Sequence, residues 1–247
     1  MSTNLKFPTE IVTLPSKGLL YPKESPLSSG TIEMKYMTAK EEDILTNANY
    51  LQQGTVIDKL LESLITTPGI DLNDLLMGDK NAILIAARVL GYGKDYEVTY
   101  NDQTHKIDLS LVKEKEINDS LFEKGENRFS FTLPASGTVL EFKLLTGHDE
   151  VAIEEELKGL RKIHKDNLPE GTTRLRHQIL SVDGDETKKT INDFVNNYFL
   201  AQDARAFRKH VTELQPDLDL IFFPEDGPEG GVRIPIGISF FWPDSEL

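Results

Sequence analysis

The sequence predicts an α+β protein of two similar helical units, each holding short strands and closing in a terminal β-hairpin. Three observations predict it. Stretches of helical spacing alternate with short period-two segments. Segments of the first half recur in the same order in the second. The 247 residues, 38% hydrophobic and 28% charged, suit a folded chain that buries a sizeable core.

The elements follow in order. Pro8, Pro15, Pro22 and Pro26, with Gly18 and Gly30, leave residues 1–31 little room for a helix and predict an extended N-terminal arm. Thr31 to Met37 sets Ile32, Met34 and Tyr36 against Glu33 and Lys35, a half-buried strand. Thr38 with Glu41 three residues on forms a capping box and opens a helix. Val56 to Ile65 has helical spacing. Asp79 is expected to cap a third helix through Leu90, stopped by Gly91 and Gly93. Tyr96–Tyr100 and His105–Leu109 flank a turn at Asn101-Asp102-Gln103, a hairpin.

From about residue 113 the pattern restarts. Arg128–Leu133 alternates as a strand and Thr138–Leu145 is extended. Thr146 opens a charged helix from Asp149 to about Lys165, and Thr172–Leu180 and Thr190 to about Glu213 are helical. Leu218–Phe223 and Val232–Phe241 predict a β-rich acidic end around the turn-rich 224–231. The expected domains are the arm (1–31), a first α+β unit (32–112) and a second (113–247).

The recurrences are specific. Leu14-Pro15-Ser16-Lys17-Gly18 returns as Leu133-Pro134-Ala135-Ser136-Gly137, and Gly30-Thr31-Ile32-Glu33-Met34-Lys35 as Gly137 to Lys143 with one residue inserted. Thr38-Ala39-Lys40-Glu41-Glu42 returns as Thr146-Gly147-His148-Asp149-Glu150. Helix caps draw on few residue types, which would by itself make such junctions look alike. Three resemblances in one order predict an internal duplication.

Charge and chemistry narrow the function. With 27 basic and 41 acidic residues the chain carries −14, a field that repels polyanions, so nucleic acid is not an expected partner. The chain has no cysteine, which excludes disulfides, thiolate metal sites and cysteine nucleophiles. Ile83–Leu90, its longest apolar run, is too short for a bilayer, and the first residues lack a signal-like apolar core, so neither membrane nor export is expected. No phosphate loop, dinucleotide turn, nucleophile elbow or zinc helix is present, and His105, His148, His164, His177 and His210 are scattered. Asp183-Gly184-Asp185 has Lys188 and Phe194 where a calcium loop needs Gly and Glu. His148-Asp149-Glu150 and Glu154-Glu155-Glu156 read as a helix start and a solvated face. The expectation is no enzyme, no cofactor, no metal and no small-molecule substrate.

Partner contact is the remaining option. Leu14, Pro15, Leu19, Leu20 and Tyr21 on the arm are candidates to lie along a neighbour or to fold back on their own domain. Ile234, Ile236, Ile238 and Phe240 alternate, so a regular strand would point Phe241 and Trp242 to opposite faces and leave at least one for a neighbour.

Leu14 to Pro22 followed by Met37-Thr38-Ala39-Lys40-Glu41-Glu42-Asp43-Ile44-Leu45 resembles the opening of a T4-like tailed-phage baseplate protein family. Asp79 through Tyr92-Gly93, and Ile234-Pro235-Ile236 with Phe240-Phe241-Trp242-Pro243, resemble its later landmarks. The resemblance implies a baseplate hub subunit or hub-assembly factor that binds other hub and tail proteins. It implies assembly in the host cytoplasm and a place in the virion tail baseplate. Relatives of this kind carry CPxCG-like knuckles, where this chain has Thr99-Tyr100-Asn101-Asp102 and Phe223-Pro224-Glu225-Asp226-Gly227. The ribbons are thus expected to be degenerate, zinc-ribbon-like and metal-free. The alternative reading is a regulatory or nucleic-acid-binding module on those hairpins, with Arg161, Lys162, Lys165 and Arg174–Arg176 as its basic face.

Overall fold

The computed structural model describes residues 8–162, 168–225 and 227–241. Helices and small antiparallel sheets alternate along it, a mixed α+β architecture. β1 (Thr9–Thr13) pairs antiparallel with β2 (Thr31–Lys35), Val12 opposite Ile32. α1 (Ala39–Leu45) follows Thr38 as its box predicts. A short α2 (Ala48–Gln53), which periodicity does not reveal, is held by local chemistry. Asn47 Oδ1 accepts from Asn49 N and Tyr50 N, and Gly54 closes the helix at φ 70°. α3 (Val56–Leu64) buries Val56, Leu60, Leu61 and Leu64 on one face, and the next residue, Ile65, bridges Met34 of β2. α4 (Met77–Tyr92) leads into β3 (Asp95–Tyr100) and β4 (Gln103–Asp108). Their two-residue turn uses Asn101 and Asp102 at φ 49° and 60°, residue types that tolerate the left-handed region.

The second half again alternates strands and helices. β5 (Phe129–Thr132) pairs with β6 (Val139–Phe142), and α5 (Gly147–Arg161) and α6 (Glu170–Gln178) follow. β7 (Ile179–Val182), not anticipated from the sequence, completes a sheet of order β5-β6-β7, with Ile179 opposite Phe142. α7 (Lys188–Asp193) runs into a π turn, and after Phe199 and Leu200 the chain re-enters α8 (Ala201–Leu214). β8 (Ile221–Phe222) and β9 (Val232–Arg233) form the second hairpin. One hydrophobic cluster includes Leu14, Ile32, Leu60, Ile83, Phe142, Phe207 and Phe241 and so draws on both halves.

Of the expected arm, the described residues are extended at β1, which is paired, while Pro26–Ser29 forms a 3-10 turn and Leu14, Leu20, Tyr21 and Leu27 are buried in the chain's own core. Two expectations are corrected. The helical stretch expected from Thr190 to about Glu213 is broken at Phe199-Leu200. The β-rich end shrinks to two-residue strands, and Ile238–Phe241 is a 3-10 turn instead of a strand. On that turn Phe240 and Phe241 are both buried, and Trp242 lies outside the described residues.

Candidate functional site

The halves share a polar device at their helix starts. In α4 the third residue, Asp79, is fully buried. It does not cap its own helix. Instead it accepts from Ser16 N at 2.9 Å, Ser16 Oγ at 2.6 Å and Tyr21 Oη at 2.5 Å, while Leu76 N donates to Tyr21 Oη at 2.9 Å. In α8 the third residue, Asp203, accepts from Ala135 N at 2.8 Å and Ser136 N at 3.0 Å. Each acid thus grips the turn after a Leu-Pro pair, Leu14-Pro15 or Leu133-Pro134, and ties a helix to the end of the first strand of its sheet.

The environments separate the two acids. Burial pushes the Asp79 carboxyl above its usual range, more than the Ser16 and Tyr21 hydrogen bonds lower it. Burial also raises Asp203, but the amides of Ala135 and Ser136 outweigh it and hold that carboxyl low. Burial is likewise the main cause that raises Tyr21, with Asp79 beside it.

A second matched device lies at α1 and α5. Glu41 Oε2 accepts from Thr38 N at 2.9 Å and Thr38 Oγ1 at 2.6 Å, and Lys35 donates to Oε1 at 2.9 Å. Asp149 Oδ2 accepts from Thr146 N at 3.0 Å and Thr146 Oγ1 at 3.2 Å, with Lys143 at 2.6 Å. The spacing Lys-x-x-Thr-x-x-acid is the same in both. Glu41 is fully buried; burial raises its pKa, but Thr38, Lys35 and Ser63 overcome this and hold it at about 2.

The candidate partner residues fall mostly inside. Leu14, Pro15, Leu20, Tyr21 and Phe241 are buried, Leu19 is half-buried, and Trp242 lies outside the described residues. A neighbour could not touch the buried ones without opening the chain's own core. Arg88 fixes the C-terminal turn there: its Nε donates to Phe240 O at 3.1 Å, Nη1 to Gly93 O and Nη2 to Asp95 O. The ring of Phe240 lies 4.8 Å from that of Tyr96.

In the basic face required by the nucleic-acid alternative the arginines are paired with acids, while Lys162 is exposed. Arg174 pairs with Glu150 at 2.6 Å, Arg176 with Glu156 at 2.6 Å and Arg161 with Glu154 at 3.6 Å, while Lys165 lies outside the described residues. Among the described residues, one group of ligand-type side chains converges, Asp71, Asp74 and His148, all exposed. No helix among the described residues is long and apolar enough to cross a membrane.

Sequence reasoning missed Asp79–Ser16–Tyr21, Asp203 and Arg88 as key groups. A signal for the acids was present: Leu75-Leu76-Met77-Gly78-Asp79 and Phe199-Leu200-Ala201-Gln202-Asp203 share an apolar pair followed by Asp three residues on.

Fold and site together define an α+β protein whose distinctive polar groups hold helices to sheets. Residues 11–198 match the family described as T4 bacteriophage base plate protein, and the chain belongs to that family. Its role is that of a structural or assembly component of the phage tail baseplate, in contact with other baseplate proteins. No curated protein and no solved structure matches the chain.

Proposed function

We propose that this chain is a baseplate hub subunit or a factor that assembles the hub, acting through stoichiometric contacts with other hub and tail proteins. The observation that carries the reading is the family match across most of the folded chain. The buried acids add to it, because their donors are the chain's own main chain and hydroxyls, a use that builds a rigid body. Assembly takes place in the host cytoplasm under this reading. Affinity-tagged protein recovered from infected cells is expected to bring hub proteins with it in fixed ratio. Retrieval of no tail protein overturns the proposal. Mass spectrometry of purified particles then separates a resident subunit from a departing factor.

We also infer that the two units descend from a duplication, with the second beginning near residue 113. The support is the ordered correspondence of Leu14-Pro15 with Leu133-Pro134, Lys35-Thr38-Glu41 with Lys143-Thr146-Asp149, Met34–Ile65 with Phe142–Ile179, and Asp79 with Asp203. Each unit then ends in a hairpin, and the degenerate zinc-ribbon reading belongs to those ribbons.

A further inference from the structure

A groove of about 1270 Å³ lies where the start of α4, the end of α6 and the segment 113–116 come together, with Met77, Leu145 and Ile221 in its apolar lining. That is more than the roughly 300–1,000 Å³ of a pocket for a small molecule. Gln178, the last residue of α6, lines the groove and is only 8% exposed. Its side-chain amide makes no hydrogen bond, and neither of its polar atoms is sealed from the groove. A side chain buried this deeply normally has partners for its donors and its acceptor. Here both are left to the groove.

The segment 113–116 brings an open strand edge to the same place. It runs antiparallel to 217–219: Glu114 bridges Leu218, Lys115 N donates to Asp217 O at 2.8 Å and Asp219 N to Lys113 O at 2.7 Å. Main-chain groups alternate along a strand, so those of Glu114 and Glu116 turn away from 217–219. Among the described residues they make no hydrogen bond. The side-chain charges are uneven as well. Arg174 and Arg233 are paired with Glu150 and Asp217, and Lys115 donates to Thr212 O and Gln215 O. Glu114, Glu116 and Asp219 are exposed acids with no ion pair among the described residues, set against one exposed lysine, Lys113.

We propose that this groove receives an extended, basic segment of another protein, which adds as a strand along 114–116 and is held by Gln178. The proposal rests on the reading that the chain acts through protein contacts, and it names the kind of segment received. A peptide main chain supplies the N–H and C=O groups that the open edge lacks. The Gln178 amide, with donor and acceptor side by side, matches a peptide bond. Side chains of an added strand alternate between its two faces, and Glu114 and Glu116 stand on one face of the edge. Lys or Arg at alternate positions of the segment therefore meets these acids, and apolar residues between them meet the apolar lining.

Fluorescence polarisation of a labelled octapeptide alternating lysine and valine, titrated with the full chain, tests this. Micromolar binding is expected, weakened roughly tenfold by Gln178→Ala and by Asp219→Lys. Glu116→Pro, which removes an amide that bonds to nothing in the chain, should weaken it as much, and thermal melting checks that each variant is folded. The same peptide N-methylated at alternate amides leaves the protein unaltered and should not bind, nor should a glutamate–valine peptide. No binding of the lysine–valine peptide overturns the proposal. So does binding that survives N-methylation or Gln178→Ala, since that is general attraction to an acidic chain. Self-association of the chain that Asp219→Lys abolishes would give the groove to a second copy and overturn it too. Failure here leaves the retrieval of hub proteins untouched, so the two readings are judged apart.

Discussion

Ser16 and Asp79, 63 residues apart, are joined twice, through the Ser16 amide at 2.9 Å and its hydroxyl at 2.6 Å. Asp79→Ala would strand both donors and the Tyr21 hydroxyl in the interior, at a cost of about 1–3 kcal/mol. Asp79→Asn should cost less, because its amide oxygen keeps one acceptor in the cluster and burial disfavours the charge that the substitution removes. Urea denaturation reads both. If the Asn variant is the worse of the two, the pairing has been misassigned. Asp203→Ala should also lower stability, and no loss there would count against equivalence of the units.

Glu41 makes stability depend on acid. Its pKa is depressed from the ordinary 4.5 to about 2 in the folded chain, so its contribution is fully present above 4.5 and is lost as pH falls through about 2. Glu41→Gln should therefore weaken the chain at neutral pH and flatten its stability profile across that acid window. Thermal melts at a series of pH values measure the slope. An unchanged slope would remove Glu41 as its source.

Two glycines should respond in opposite directions. A Cβ on Gly78 would lie 1.8 Å from Pro216 O, so Gly78→Ala must separate α4 from the segment after α8 and should be among the most damaging single changes. Gly159 in α5 has open space, and Gly159→Ala should stabilise by about 0.5–1 kcal/mol. Paired melting curves distinguish them. A harmless Gly78→Ala would mean that the two segments are not in contact.

The C-terminal turn should behave as core. Phe240 and Phe241 are both fully buried, so Phe240→Ala should cost about 3–5 kcal/mol, and a chain ending at Phe240 should lose stability instead of keeping its fold. Denaturant midpoints of the two variants report this. A truncated chain with the full midpoint would show that the Phe241 ring is dispensable.

The fold class was legible because amphipathic spacing and caps are local: Val56–Leu64 and the Thr38 and Thr146 starts follow from neighbouring residues. Asn47 alone, without periodicity, did not disclose α2. The end of the chain misled because Ile234–Phe240 alternates like a strand while Arg88, far away in sequence, holds it as a turn. The arm misled for a similar reason, since proline spacing shows extension but not which strand it joins. Asp79 was legible as an acid at a helix start. Its true partners, Ser16 and Tyr21, are set by tertiary packing, which no local pattern encodes.

The Arg88–Phe240 bond spans 152 positions. During synthesis the guanidinium and the Tyr96 ring leave the ribosome long before the carbonyl and phenyl group that complete their surroundings. The earlier half therefore waits, with part of its interior open, until residues near 240 emerge. The contacts that Arg88 and Tyr96 make with Phe240 can form only once that residue has been made.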